Sequence, residues 1–113
     1  MGQEDKILVV EDNPLICRAI EAKFNCDCAT DGWDAIERLE ASDYAAIVID
    51  ADVPSHSGYG VLTYLREEVG EAMAHVIFMT DSDRDEVQRR WGGGVHVIDK
   101  ADAVEEITRV LTR

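Results

Sequence analysis

A short apolar run followed by a segment of helical periodicity recurs five times along the chain, and no other feature limits the fold so tightly. Ile7–Val10, Ala45–Ile49 and Val76–Met79 are too short for helices and lack polar alternation, as expected of strands buried on both faces. Val95–Ile98 reads as the fifth strand, and Cys26, Cys28 and their neighbours as a weaker second one. Strands alternating with helices over short connections imply an α/β domain with a parallel sheet covered on both sides. Right-handed crossovers then bring every strand's C-terminal end to one rim, where open α/β sheets hold their ligands.

The helical segments carry their own boundary signals. Asn13 can cap and Pro14 fits a first helical turn, with Ile16, Ile20 and Phe24 at core-facing spacing. Asp31 is placed to cap a helix bearing Trp33, Ile36 and Leu39, and Tyr59–Val69 turns Val61, Leu62, Leu65 and Val69 inward. Ser82 or Asp83 caps a short helix whose only large apolar residues are Val87 and Trp91. It is the helix expected to be least anchored, and Gly92-Gly93-Gly94 stops it. Ala103–Leu111 forms the last helix, with Val104, Ile107 and Leu111 on one side.

Length and charge narrow the function. The 113 residues fit one domain, 1–113, with one core. A formal net charge of −13 argues against direct nucleic-acid binding by this domain and suits a cation site or a basic partner surface. No apolar run approaches a membrane span, and Met1–Lys6 is too polar for a signal peptide, so a cytoplasmic location is expected. Cys17, Cys26 and Cys28 match neither a disulfide framework nor a zinc-site spacing, and read as buried thiols in a reducing compartment.

The chemistry gathers at the strand ends. Strand one ends in Glu11-Asp12, strand three in Asp50, strand four in Thr80, and strand five is followed by Asp99-Lys100. Asp50 opens an acidic turn, Asp50-Ala51-Asp52-Val53-Pro54, and Ser57-Gly58 marks the loop beyond it. Carboxylates converging on one rim repel one another unless a cation joins them, and Mg²⁺ favours a few such oxygens with retained waters. Lys100 adds a positive charge and Thr80 a hydroxyl donor. Together they suit a phosphoryl group carried on a carboxylate, since aspartate can accept one as an acyl phosphate.

On these residues, in this order and with thirty positions between Asp50 and Thr80, the chain resembles the receiver domain of two-component response regulators over essentially its whole length. The resemblance implies a flavodoxin-like, doubly wound five-stranded parallel sheet of order 2-1-3-4-5. It implies Asp50 as phosphoacceptor, and Mg²⁺ held by Asp12, Asp50 and the backbone carbonyl of Asp52, with Glu11 acting through water. Thr80 would contact the phosphoryl group and Lys100 would pair with its oxygens. The donor would be a phosphohistidine on a sensor histidine kinase or a histidine phosphotransfer protein, and the response a changed surface for an output protein or domain. A homodimer stays open. Such a protein is a regulator rather than an enzyme, catalysing at most its own phosphorylation and dephosphorylation.

Several positions depart from the family pattern. Val97 stands where receivers carry Tyr or Phe, Asp81 where they carry a small residue, and Lys100-Ala101 where they carry Lys-Pro. The helix around Gln88–Trp91 and its loop are short for the family. Asp52 and Ser82 lie where receivers tune the lifetime of the acyl phosphate. Two alternatives follow. A pseudo-receiver would use the same fold only as an interaction module. A haloacid-dehalogenase-like phosphatase would use Asp50-Ala51-Asp52, Thr80 and Lys100, but leaves Glu11-Asp12 without a role. His56, His75 and His96 do not cluster, Trp33 and Trp91 read as core or partner contacts, and Arg84, Arg89 and Arg90 as a solvated helix face.

Overall fold

The computed structural model describes residues 6–42, 44–51, 76–91 and 96–111. Asp52, Pro54, Ser57-Gly58, the Tyr59–Val69 helix, His56, His75 and the Gly92–Gly94 stop lie outside the described residues, as do the side chains of Arg90 and Trp91.

Five strands, β1 (Ile7–Val10), β2 (Cys26–Ala29), β3 (Ala46–Asp50), β4 (Val76–Thr80) and β5 (His96–Asp99), pair in parallel in the order β2-β1-β3-β4-β5. This is the expected doubly wound order. The described helices are α1 (Pro14–Glu21), α2 (Gly32–Ala41), α3 (Arg84–Trp91) and α4 (Ala103–Leu111), the last preceded by a 3₁₀ turn at Lys100–Asp102.

Every residue of β1, β3 and β4 is buried, which is why these runs carry no polar alternation. Odd and even positions serve separate cores. Leu8, Val10, Ile47, Ile49 and Phe78 pack with Ala35 of α2 on one face. Ile7, Val9, Val48, Ile77 and Met79 pack with Ile20 of α1 and Ile107 of α4 on the other. Burying Phe78 or Ile107 completely removes about 1.5–3 kcal/mol worth of apolar side chain from water in each case.

The caps act as the sequence implies. Asn13 Oδ1 accepts from Leu15 N–H at 2.9 Å, and Asp31 Oδ1 from Asp34 N–H at 2.9 Å. Of the two candidates at α3, Asp83 takes the role, accepting from Asp85 N–H at 2.9 Å. Of the two readings of Trp33, the core one falls: it stands 83% exposed, because the buried residues of α2 are Gly32 and Ala35, and Trp33 falls between them on the outer side. Strand β5 begins at His96 and runs through Asp99, so Asp99 belongs to the strand rather than following it.

Candidate functional site

Register brings the strand ends together. Val10 pairs with Ile49, placing Glu11 beside Asp50, and Thr80 pairs with Asp99, placing Lys100 one residue beyond. Glu11 is 1% exposed, Asp50 3% and Thr80 0%, and they are the buried polar residues of the described chain. Asp12 is exposed at the mouth.

Lys100 is the counter-charge. Its Nζ donates to Asp50 Oδ2 at 2.8 Å, lies 3.5 Å from Glu11 Oε1, and lies 3.9 Å from Asp81 Oδ2. Burial disfavours its ammonium. The hydrogen bond and charge of Asp50, with Glu11 and Asp81, outweigh that and raise its pKa above the usual value. Lys100 is therefore a fixed cation.

Glu11 is anchored at one oxygen. Oε2 accepts from Asn13 N–H at 3.0 Å, while among the described residues the buried Oε1 has no hydrogen-bond partner and a long ion pair to Lys100. Burial pushes the Glu11 carboxyl up to about 7. The charge of Asp50 reinforces the shift, and Asn13 N–H and Lys100 oppose it. Such a group is short of positive charge. One carboxylate oxygen each from Glu11, Asp12 and Asp50 lies within 4.8 Å of the others. An all-oxygen set of this kind, with an under-coordinated buried oxygen, fits a hard divalent cation.

Thr80 Oγ1 accepts from Ser82 N–H at 2.9 Å, which fixes the side chain at the end of β4 and orients its hydroxyl. Next to Asp50, Ala51 N–H donates to Met79 O at 2.8 Å and holds the start of the acidic turn against β4. Glu11, Asp12, Asp50, Thr80 and Lys100 thus share one rim, as the alternation of strands and helices implies. Asp52 lies outside the described residues.

Two features were not evident from residue type. Asp81 shares Lys100 with the cluster, and Arg84 is not simply a solvated face residue: it reaches Glu106 at 3.0 Å and Asp99 at 3.8 Å, tying α3 to α4 and β5. Val97 is half-buried against the core around Phe78, so the position is filled by packing. His96 is half-buried at the opposite end of β5 from Asp99 and Lys100.

The response regulator receiver domain model matches residues 7–112. The chain belongs to that family. Among curated relatives, the transcriptional activator protein IrlR of Burkholderia pseudomallei is 34% identical over 118 residues, covering 93% of this chain and 48% of that protein. The regulatory protein VanRB of Enterococcus faecalis is 30% identical over 90 residues, covering 75% and 40% respectively. This chain spans about half the length, or less, of these relatives, which are named as regulators rather than enzymes. The fold is shared with the receiver domain of the Francisella response regulator 1452 at a TM-score of 0.76, with 21% identity and coverage of 97% and 98%. The chemotaxis response regulator CheY4 of Vibrio cholerae gives 0.74, 18% identity and coverage of 95% and 98%. Membership of the receiver family decides against the haloacid-dehalogenase-like phosphatase. Among the described residues no helix is long and apolar enough to cross a membrane.

Proposed function

We propose that residues 1–113 form one cytoplasmic receiver domain that accepts a phosphoryl group on Asp50 from a phosphohistidine donor, a sensor histidine kinase or a histidine phosphotransfer protein. The observation that carries this reading is the buried Asp50 at the end of β3, joined to Lys100 at 2.8 Å and clustered with Glu11 and Asp12. In the transfer, an Asp50 carboxylate oxygen attacks phosphorus, an O–P bond forms as the donor's N–P bond breaks, and the bonding pair leaves on the imidazole. Lys100 holds positive charge against the oxygens of the moving group, and the Thr80 hydroxyl donates to one of them. Asp12 and Asp50, with the Asp52 carbonyl, are the residues that would hold Mg²⁺, and Glu11 would support it through water. When bound, the cation supplies neutralisation of charge on the phosphoryl oxygens.

The response is a changed protein–protein surface, reached as a population shift between two arrangements. Thr80 is the coupling residue, because its hydroxyl serves both the site and the Ser82 amide at the start of the α3 loop. Val97 replaces the aromatic that the family pattern places there, so the α3–β5 surface is read without an aromatic swing.

Intact mass after incubation with Mg²⁺ and acetyl phosphate tests the reading, beside an Asp50→Asn control. One added phosphate, absent from the control, is expected. A protein that takes no phosphate from acetyl phosphate or from a phosphorylated histidine phosphotransfer protein, and binds no Mg²⁺, would be a pseudo-receiver. Val97 and Asp81, the latter 3.9 Å from Lys100, are the residues that favour this second reading.

A further inference from the structure

A second cluster of ligating side chains lies away from the phosphoryl rim. Cys26 and Cys28 are two residues apart on β2, so their side chains share the face of the sheet packed by α1. Across from them, Cys17 and Glu21 are four residues apart on α1, and therefore share a helix face. Strand pair and helix pair meet. The Sγ atoms of Cys26 and Cys28 and a Glu21 carboxylate oxygen all lie within 4.8 Å of one another. Cys17 is within interaction reach of Cys28 on the inner side, where its thiol also donates to Glu11 O at 3.7 Å.

The cluster is accessible. Glu21 is exposed, Cys26 and Cys28 are half-buried, and a cavity of about 210 Å³ reaches Cys17, Glu21 and Cys28 from the side of Asp12. All three cysteines are free thiols. Burial pushes the Cys26 thiol up to about 12 and raises Cys28 as well. Without a cation, these groups keep their protons.

We propose that Glu21, Cys26 and Cys28 form a site for a borderline-soft divalent cation of the Zn²⁺ class, with solvent in the fourth position and Cys17 as the thiol beside it. Two sulfurs and one carboxylate from a strand and a helix make a set that Zn²⁺ accepts and that Mg²⁺ does not. Binding forms two metal–thiolate bonds, and the two thiol protons pass to solvent. The site is chemically separate from the oxygen cluster of Glu11, Asp12 and Asp50, so one domain would hold a hard cation and a soft one side by side. Neither Cys-x-Cys nor the lone Cys17 matches a zinc spacing, because the remaining ligand comes from a helix packed across the strand.

The test is titration of metal-stripped, phosphine-reduced protein with Co²⁺ in the presence of excess Mg²⁺, followed by displacement with Zn²⁺. The expected result is a thiolate-to-cobalt charge-transfer band that saturates at one equivalent and disappears on Zn²⁺ addition. The Asp12→Asn, Asp50→Asn double variant retains the band, which keeps this site distinct from the phosphoryl site. The Cys26→Ser, Cys28→Ser double variant loses it, with an affinity loss beyond the roughly 10–100-fold that removal of an outer partner costs. Glu21→Gln, at an exposed helix position, keeps the fold and weakens Zn²⁺ by about tenfold or more. A wild-type protein with no charge-transfer band, or a band unchanged in the double cysteine variant, overturns the proposal.

Discussion

Lys100 meets Asp50 at 2.8 Å on the rim, and Lys6 meets Asp27 at 3.3 Å beside the outer strand β2, so the same two residue types pair twice on one sheet. Their surroundings differ. The rim side chains are 10% and 3% exposed, with Glu11 fully buried beside them, whereas the outer pair is 28% and 27% exposed. Around Asp27 the surplus positive charge is easily supplied: Arg38 lies 3.9 Å away and Tyr44 donates its hydroxyl at 2.7 Å. On the rim, Glu11, Asp50 and Asp81 all lie within 3.9 Å of Lys100. A buried ion pair rarely stabilises a fold beyond what apolar residues would, because desolvation offsets the attraction. The outer network is thus ordinary surface stabilisation, while the rim keeps a buried, desolvated ionic arrangement that chemistry can use.

Five substitutions sharpen this contrast. Asp50→Asn has the largest effect, complete loss of phosphate incorporation by intact mass, whereas Asp27→Asn leaves incorporation intact. Next comes Lys100→Met, which removes the cation beside two buried carboxylates and costs about 3 kcal/mol in urea unfolding without Mg²⁺. Tyr44→Phe removes the hydrogen bond to Asp27 and costs about 1 kcal/mol in the same assay. Lys6→Met is the smallest, about 0.5 kcal/mol or less, and less still at high salt. Equal costs for Lys100→Met and Lys6→Met would break the comparison.

The outer pair also has a pH signature. The Tyr44 hydrogen bond, with Lys6 and Arg38, holds the Asp27 carboxyl below its ordinary 3.8, against the opposing effect of burial. The folded state therefore binds the Asp27 proton more weakly than the unfolded state does. Its stabilisation is present above 3.8 and fades as the pH falls through the lower folded value. The stability gap between wild type and Asp27→Asn, measured by urea unfolding, should close over that acid range and stay constant from pH 5 to 7.

Much of this was legible along the chain. The unbroken apolar runs Ile7–Val10 and Ala46–Ile49 announce strands buried on both faces, and Asn13 and Asp31 announce helix starts, because these signals act over a few neighbouring residues. The strand-end positions of Glu11, Asp50 and Thr80 follow from the same runs. Trp33 was not legible. Helical spacing allows it either side of the stripe, and only the docking of α2 through Gly32 and Ala35 turns it outward. Nor was the thiol cluster, since no spacing rule relates Cys17 and Glu21 of α1 to Cys26 and Cys28 of β2.

The sequence by itself determined the five strands, the described α-helices, the parallel sheet and the one rim on which its acidic strand ends fall. Those follow from hydrophobic period, capping and the handedness of crossovers, all of which are local or general. The tertiary structure alone decided that Lys100 bonds Asp50 across fifty positions, that Glu11 Oε1 is buried with no hydrogen bond among the described residues, and that Glu21 faces two thiols. These depend on strand register and on how closely each helix settles on the sheet. Both are set by the packing of side chains distant in sequence, and that same packing removes the water that would otherwise screen the charges.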